Sequence, residues 1–247
     1  MTLPVYKTDA IVIRARDYGE ADKILTLFSR EYGKIQAIAK GVRKPKSRLR
    51  GGVQFLSYSD FLLHKGRSMD TVSQVEQKES FRWLLEDLET LSYAAYLAEL
   101  VDAAILENEE GQGIFLLTLT CFHLLQSVDA KLVIRCFELR LLNQLGYRPQ
   151  TKTCVSCHSQ VQGEKHRFSV ELGGVLCPQC RYQDTYSIQV SGGTLAVMDY
   201  LLKLDIRKLD RLKIPNLVNN ELEYVIKKFI SSKLEKRFKS LDFLSKL

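Results

Sequence analysis

The chain has 247 residues, 45% apolar and 26% charged. These are ordinary globular values that exclude wholesale disorder and fibrous repeats. Its formal charge of +7 at pH 7 favours a polyanionic partner but says nothing about fold. No secretory pattern opens the chain at Met1–Lys7, and the greasiest stretch, Ile114 to Leu125, is too short for a bilayer span of about 20 residues. A soluble intracellular protein with reduced cysteines is therefore expected.

The charge is unevenly placed. Residues 1–80 carry net +6, 81–150 net −5, 151–187 net +1 and 188–247 net +5.

The stretch 1–80 reads as five short strands: Thr8 to Arg14, Lys23 to Phe28, Lys34 to Ala39, Phe55 to His64 and Thr71 to Glu76. Turn signals separate them, which suits a small barrel. Lys23 to Phe28 also fits a helix by its apolar spacing. From Ser80 the period changes to 3 and 4. Ser80 is the expected N-cap of a helix through Phe81, Leu84, Leu85, Leu88 and Leu91. Further helices are expected over Tyr93–Leu106, Ile114–Gln126 and Lys131–Leu145, the last stopped by Gly146. Thr194–Leu204 and Asn220 to about Leu244 complete the helical set. His123 lies in an apolar stretch and reads as a core residue. The expected fold is α+β: a barrel of the oligonucleotide-binding (OB) type over 1–80, then a helical domain over 81–247 with a Cys-rich insert at about 150–187.

Cys154-Val-Ser-Cys157 and Cys177-Pro-Gln-Cys180 are two C-x2-C knuckles separated by the segment 158–176. Together they offer a closed four-sulfur shell, so one structural zinc ion is expected, with no open position for catalysis. A hairpin about Gly173 leads into the second knuckle, a zinc-ribbon layout. Cys154 to His158 also spells the covalent haem signature, but that reading strands Cys177 and Cys180. A dithiol redox site lacks its βαβ context, and a zinc deaminase lacks H-x-E. Unmetallated thiols are the bland alternative. Cys121 and Cys136 read as core thiols.

Lys40, Arg43, Lys44, Lys46, Arg48 and Arg50 fall within eleven residues that contain no acid. Gly41, Pro45, Gly51 and Gly52 mark this as a loop between barrel strands. Six clustered cations repel one another unless a polyanion neutralises them, and phosphate contact is the functional reading. A solvated surface loop is the other. Arg14, Lys34, Tyr6, Tyr58 and Phe61 are candidates for the same groove, although each aromatic taken singly favours core packing. The basic tail from Lys227 to Lys239 reads as the wet face of a helix.

No phosphate loop, G-x-S-x-G elbow or H-E-x-x-H is present, and no catalytic residue is expected. Asp17, Glu20 and Asp22 are the one acidic cluster that suggests a metal-dependent nuclease.

Tyr6–Ile13, Tyr18–Leu25, Ala39–Ser47, Leu145-Gly-Tyr-Arg-Pro149 and Lys239-Ser-Leu241, in that order along nearly the whole chain, resemble the RecO recombination mediator family. The resemblance implies an N-terminal OB barrel, a helical body and, because all four cysteines stand here, a bound zinc. It implies a non-enzymatic bacterial protein, cytoplasmic and nucleoid-associated. Such a protein binds single- and double-stranded DNA, anneals strands coated with single-strand-binding protein and, with RecR, assists loading of RecA. No membrane and no small-molecule substrate enter that scheme. The basic-loop residues are the DNA contacts carried over. An RNA-binding or transcription-associated zinc-ribbon protein is the alternative, since it would share the barrel, the loop and the knuckles.

Overall fold

A computed structural model describes residues 4–106, 111–163, 165–236 and 238–244. Met1–Leu3, and Glu107, Glu109 and Glu110 of the acidic middle, lie outside the described residues. The chain forms two compact units, residues 1–126 with 238–247, and residues 127–237.

In the first unit, β1 (Val5–Tyr18), β2 (Asp22–Ser29), β3 (Gly33–Ala39), β4 (Tyr58–His64) and β5 (Asp70–Glu79) close a barrel in the order β1-β2-β3-β5-β4. All pairs are antiparallel except β3–β5. This is the OB-type Greek-key closure. In β3, Ile35, Ala37 and Ala39 point inward at every second residue and meet Ala10, Val12, Leu25, Leu27, Phe61 and Leu63. β2 is a strand although its spacing also suits a helix. Both of its faces are buried, because Phe28 lies under Phe115 of α2 (Gln112–Leu124), with ring centroids 5.5 Å apart. Burial on two sides removes the polar alternation that would have marked it. β1 breaks register between Val12 and Arg14. There the end of the β3–β4 connection docks: Leu56 N–H donates to Val12 O at 2.8 Å, and Val12 N–H to Ser57 O at 2.9 Å.

The helical part of this unit begins later than the sequence suggests. Ser80 does not cap a helix. Phe81 adopts a left-handed backbone (φ 47°) that buries its ring against Trp83, Phe122 and His123, and a single 3-10 turn follows. The first α-helix, α1, runs Leu88–Ala104, and Asp87 caps it by accepting Thr90 N–H at 2.8 Å. The 3/4 spacing across Leu85 and Leu88 is fortuitous, since both are exposed. His123 is no core residue. Its ring is half exposed, and Nε2 lies 3.2 Å from Glu79. α6 (Lys239–Leu244) returns to this unit, with Phe238 against Tyr96 and Ser240 Oγ donating to Glu99 at 2.5 Å.

The second unit holds α3 (Ala130–Gln144), α4 (Gly192–Lys203) and α5 (Asn216–Leu234). α3 ends as the sequence suggests. Gly146 takes φ 86°, its N–H donates to Asn143 O, and Tyr147 N–H reaches back to Leu142 O, a Schellman closure. Cys136, like Cys121 of the first unit, is fully buried. One long helix to Leu244 does not form. α5 stops where Glu235 turns left-handed (φ 47°), and the chain leaves to bury Phe238 and Leu241. Burial of those two side chains outweighs the cost of about 1–2 kcal/mol for a non-glycine residue in that conformation. Between α3 and α4, the hairpin β6 (Lys165–Ser169) and β7 (Gly174–Leu176) turns at Gly173 (φ 77°). A third strand, β8 (Ile188–Ser191), pairs with β6. Among the described residues, no helix is long and apolar enough to cross a membrane.

Candidate nucleic-acid interface and metal centre

The basic segment is the connection from β3 to β4, and it is not a loose loop. Val42 and Val53 are buried in the barrel core, and Leu49 packs against it. Successive turns hold it, with Lys44 N–H to Gly41 O at 3.1 Å and Ser47 N–H to Lys44 O at 3.0 Å. Gly52 lies so close to Val75 that a Cβ there would clash. At the other end the segment is tied to the β1–β2 turn. Asp22 Oδ1 accepts Gly41 N–H at 2.7 Å, Arg43 N–H donates to Ala21 O at 2.8 Å, and Arg43 Nη1 to Gly19 O at 3.3 Å. With its apolar residues pinned inward, the segment projects its cations outward. Lys40, Arg43, Lys44, Lys46, Arg48 and Arg50 are all exposed. Among the described residues, Arg43 alone of the six makes an ion pair, with Asp17 at 3.4 Å.

Arg14 and Lys34 are placed differently. Both reach Asp102 of α1: Arg14 Nη2 lies 3.0 Å from its carboxylate, and Lys34 Nζ donates to its carbonyl at 2.8 Å. They fasten the barrel to α1 through Asp102. Of the aromatics, Phe61 is in the core. Tyr6 donates to Asp70, and Tyr58 donates to Asp9 at 3.0 Å while edging onto Phe115. Burial and the adjacent carboxylate push both phenols upward in pKa. The aromatic that does stand free beside the basic segment is Tyr18, 54% exposed at the β1–β2 turn that Arg43 grips. Its position at the end of a strand of mixed polarity gives no sequence signal.

Asp17, Glu20 and Asp22 do not form a metal cluster. Asp17 pairs with Lys23 and Arg43, and Asp22 holds Gly41. Among the described residues, the one group of three or more metal-binding side chains is Cys154, Cys157, Cys177 and Cys180, whose sulfurs all lie within 4.8 Å of one another. A tetrahedron with metal–sulfur bonds of about 2.3 Å has edges of about 3.8 Å. The Sγ atoms of Cys157 and Cys177 stand 3.7 Å apart. Each knuckle closes on itself, with His158 N–H to Cys154 O at 2.9 Å and Cys180 N–H to Cys177 O at 3.0 Å. His158 takes the left-handed backbone (φ 62°) that the first turn requires. Hydrogen bonding favours the thiolate at two of the four, Cys157 and Cys154, whereas at Cys180 the Ser156 hydrogen bond is outweighed by burial and the neighbouring cysteine sulfurs, which push the thiol up to about 12. Ser159 lowers the Cys157 thiol to about 6, and at Cys154 the N–H groups of Cys157, Cys177 and Ser156 outweigh burial, which opposes ionisation. Cys154, Cys177 and Cys180 are buried and Cys157 faces solvent. The donor set fits a four-coordinate metal ion with no open position.

Residues 1–81 match the family described as Recombination protein O N terminal, and residues 85–242 match Recombination protein O C terminal. The DNA repair protein RecO of Desulfitobacterium hafniense (strain DSM 10664 / DCB-2) is 46% identical over 246 residues, covering 98% of this chain and 90% of that protein. The DNA repair protein RecO of Pelotomaculum thermopropionicum is 42% identical over 244 residues, covering 99% and 95%. That of Desulforamulus reducens is 38% identical over 245 residues, covering 99% and 96%. Five strands closed in OB order, four clustered cysteines and matches along both halves converge on one assignment: the chain belongs to the RecO family of DNA repair proteins.

Proposed function

We propose that this protein is a non-enzymatic mediator of DNA repair and recombination. It binds single- and double-stranded DNA through the barrel and anneals complementary strands coated with single-strand-binding protein. With RecR, it assists loading of RecA. The observation that carries this reading is the basic segment: six exposed cations on a connection pinned to the barrel at both ends. A pinned array loses little entropy on binding a phosphate backbone, and each neutralised phosphate releases counterions. Screening two strands with one basic surface lowers their mutual repulsion, so complementary bases can meet without nucleotide hydrolysis. Zinc held by Cys154, Cys157, Cys177 and Cys180 is structural in this scheme, since four protein thiolates complete its shell. It fixes the small sheet and takes no part in a reaction.

The test replaces Lys44, Lys46 and Arg48 with Ala, three exposed side chains that tie nothing else together. The slope of log affinity against log salt should flatten by about 0.9 per lost duplex phosphate contact and about 0.7 on single strands. Strand annealing in the absence of ATP should slow with it. An unchanged slope refutes the assignment of the segment. Magnesium-dependent cleavage of DNA would contradict the non-enzymatic reading, and a preference for structured RNA would favour an RNA-binding protein.

A further inference from the structure

We propose that the cysteine finger carries a second nucleic-acid contact, selective for single strands, in which Tyr182 and Tyr186 stack on bases and Lys165 and Arg181 take phosphates. The proposal extends the reading of the protein as a strand-handling factor and rests on it.

Tyr182 and Tyr186 are 74% and 93% exposed, the two most exposed of the large apolar side chains among the described residues. A tyrosine ring at 93% exposure has no packing role in its own chain. Yet the segment that carries the rings is held firmly. Gln183 N–H donates to Cys180 O at 3.0 Å, so the turn bearing Tyr182 starts from a cysteine of the cluster. The buried Asp184 accepts Tyr186 N–H at 2.8 Å, and its carbonyl accepts the Ser187 hydroxyl at 2.6 Å. Arg167 of β6 then clamps Ser187, with Nε to Oγ at 3.0 Å and Nη2 to the carbonyl at 2.5 Å. Two bare aromatic rings are thus presented from a braced scaffold, which lowers the ordering cost of binding.

A cleft of about 260 Å³ in the same finger is lined by Lys165, His166, Arg167, Pro178, Arg181 and Gln189 among others, with no carboxylate among the described residues of its lining. His166 and Arg167 are engaged internally, at Gly163 O and Ser187. Lys165 and Arg181 are exposed. Arg181, in the cleft wall, is followed in the chain by Tyr182, and Arg167, also in the wall, grips Ser187, the residue after Tyr186, so each tyrosine is one residue from a residue of the cleft wall or its partner. A cationic groove combined with stacking aromatic side chains is the means by which single strands are held without sequence preference. A duplex keeps its bases stacked inside and offers such rings nothing, which is the source of the selectivity.

The test compares Y182A/Y186A, Y182F/Y186F and R181A with wild type, each checked for one bound metal per chain and unaltered secondary structure. Binding to a fluorescein-labelled oligo-dT and to a blunt duplex is followed across a salt series. The alanine pair should bind oligo-dT at least about 5-fold more weakly per tyrosine. Its salt slope and duplex affinity should be unchanged, and the phenylalanine pair should restore binding. R181A should flatten the single-strand slope by about 0.7. Wild-type affinity of the alanine pair for oligo-dT overturns the proposal, as does an equal loss on duplex. If the alanine pair binds both DNAs normally while the Lys44, Lys46 and Arg48 variant is weakened, the finger contact falls and the loop reading stands. If the loop variant alone binds as wild type, the failure belongs to the loop reading.

Discussion

Replacing Asp22 separates anchoring of the basic segment from its charge. Asp22 Oδ1 accepts Gly41 N–H at 2.7 Å, where Gly41 takes φ 64°, and two residues on Arg43 N–H donates to Ala21 O at 2.8 Å. A hydrogen bond to a charged acceptor contributes about 1.5–3 kcal/mol, and a neutral one about 1 kcal/mol. Asp22→Ala should therefore lower the free energy of local opening by about 1.5–3 kcal/mol. Asp22→Asn keeps an oxygen acceptor and should lose about half of that. A free-energy change of about 1.4 kcal/mol is tenfold in an equilibrium constant. Exchange of the Arg43 amide should accelerate about 10- to 150-fold in the alanine variant, and much less in the asparagine variant. Both variants remove one negative charge beside six cations, so charge alone predicts equal gains in DNA affinity. Anchoring predicts a split, with Asp22→Asn binding at least as tightly as wild type and Asp22→Ala more weakly. Hydrogen–deuterium exchange by mass spectrometry and a DNA titration check both. Equal exchange in wild type and both variants, or equal affinity gains, would refute the claim that Asp22 sets the segment.

Two further outcomes follow. Cys177→Ser should abolish bound metal, measured per chain by atomic emission, and open residues 150–191 to protease while exchange protection in the barrel is kept. A metal-free protein that stays resistant there removes the structural role of the ion. Glu221 accepts Ser191 N–H at 2.9 Å, Ser191 Oγ at 2.7 Å and Thr194 Oγ1 at 2.5 Å on one oxygen. Burial opposes its charge, but these donors outweigh it and hold the carboxyl below the usual glutamate range. A depressed folded value means the stabilisation is full above the unfolded value of about 4.3 and is lost as pH falls through and below it. Glu221→Gln should flatten the acid limb of an unfolding curve of the second unit. An acid limb identical to wild type would show that Glu221 contributes nothing to it.

What the sequence makes legible follows the physics of each signal. β3 reads as a strand because Lys34, Gln36 and Ile38 alternate with inward Ile35, Ala37 and Ala39. The knuckles are legible because chelation is local, with two cysteines one turn apart. β2 is ambiguous because a helix covers its outer face. The break at Glu235 is unreadable because no glycine marks it, and the pull comes from Phe238 meeting Tyr96, a residue from the first half of the chain. Arg14 and Lys34 show the same limit at the site. Their charge is visible, but Asp102, which engages them, is 88 and 68 residues distant. Tyr182 and Tyr186 give no signal, because exposure of an aromatic residue is a property of the folded surface.

The acids of the middle segment are committed to roles within the fold, and the cations of the basic segment are not. Asp87 and Asp129 cap α1 and α3. Asp102 holds Arg14 and Lys34, Glu99 accepts from Ser240, and Glu138 lies buried against Arg135 at 2.5 Å. Asp102 and Glu138 are offset by the cations they pair with, while Asp87, Asp129 and Glu99 keep their charge but are committed to neutral donors within the fold; at physiological salt the reach of a charge is about 8 Å. Five of the six segment cations make no ion pair among the described residues, so the segment keeps most of its own charge. A polyanion therefore meets the local charge of residues 40–50 rather than the net +7, and a substitution there should move DNA affinity more than the same charge change made anywhere in residues 81–150.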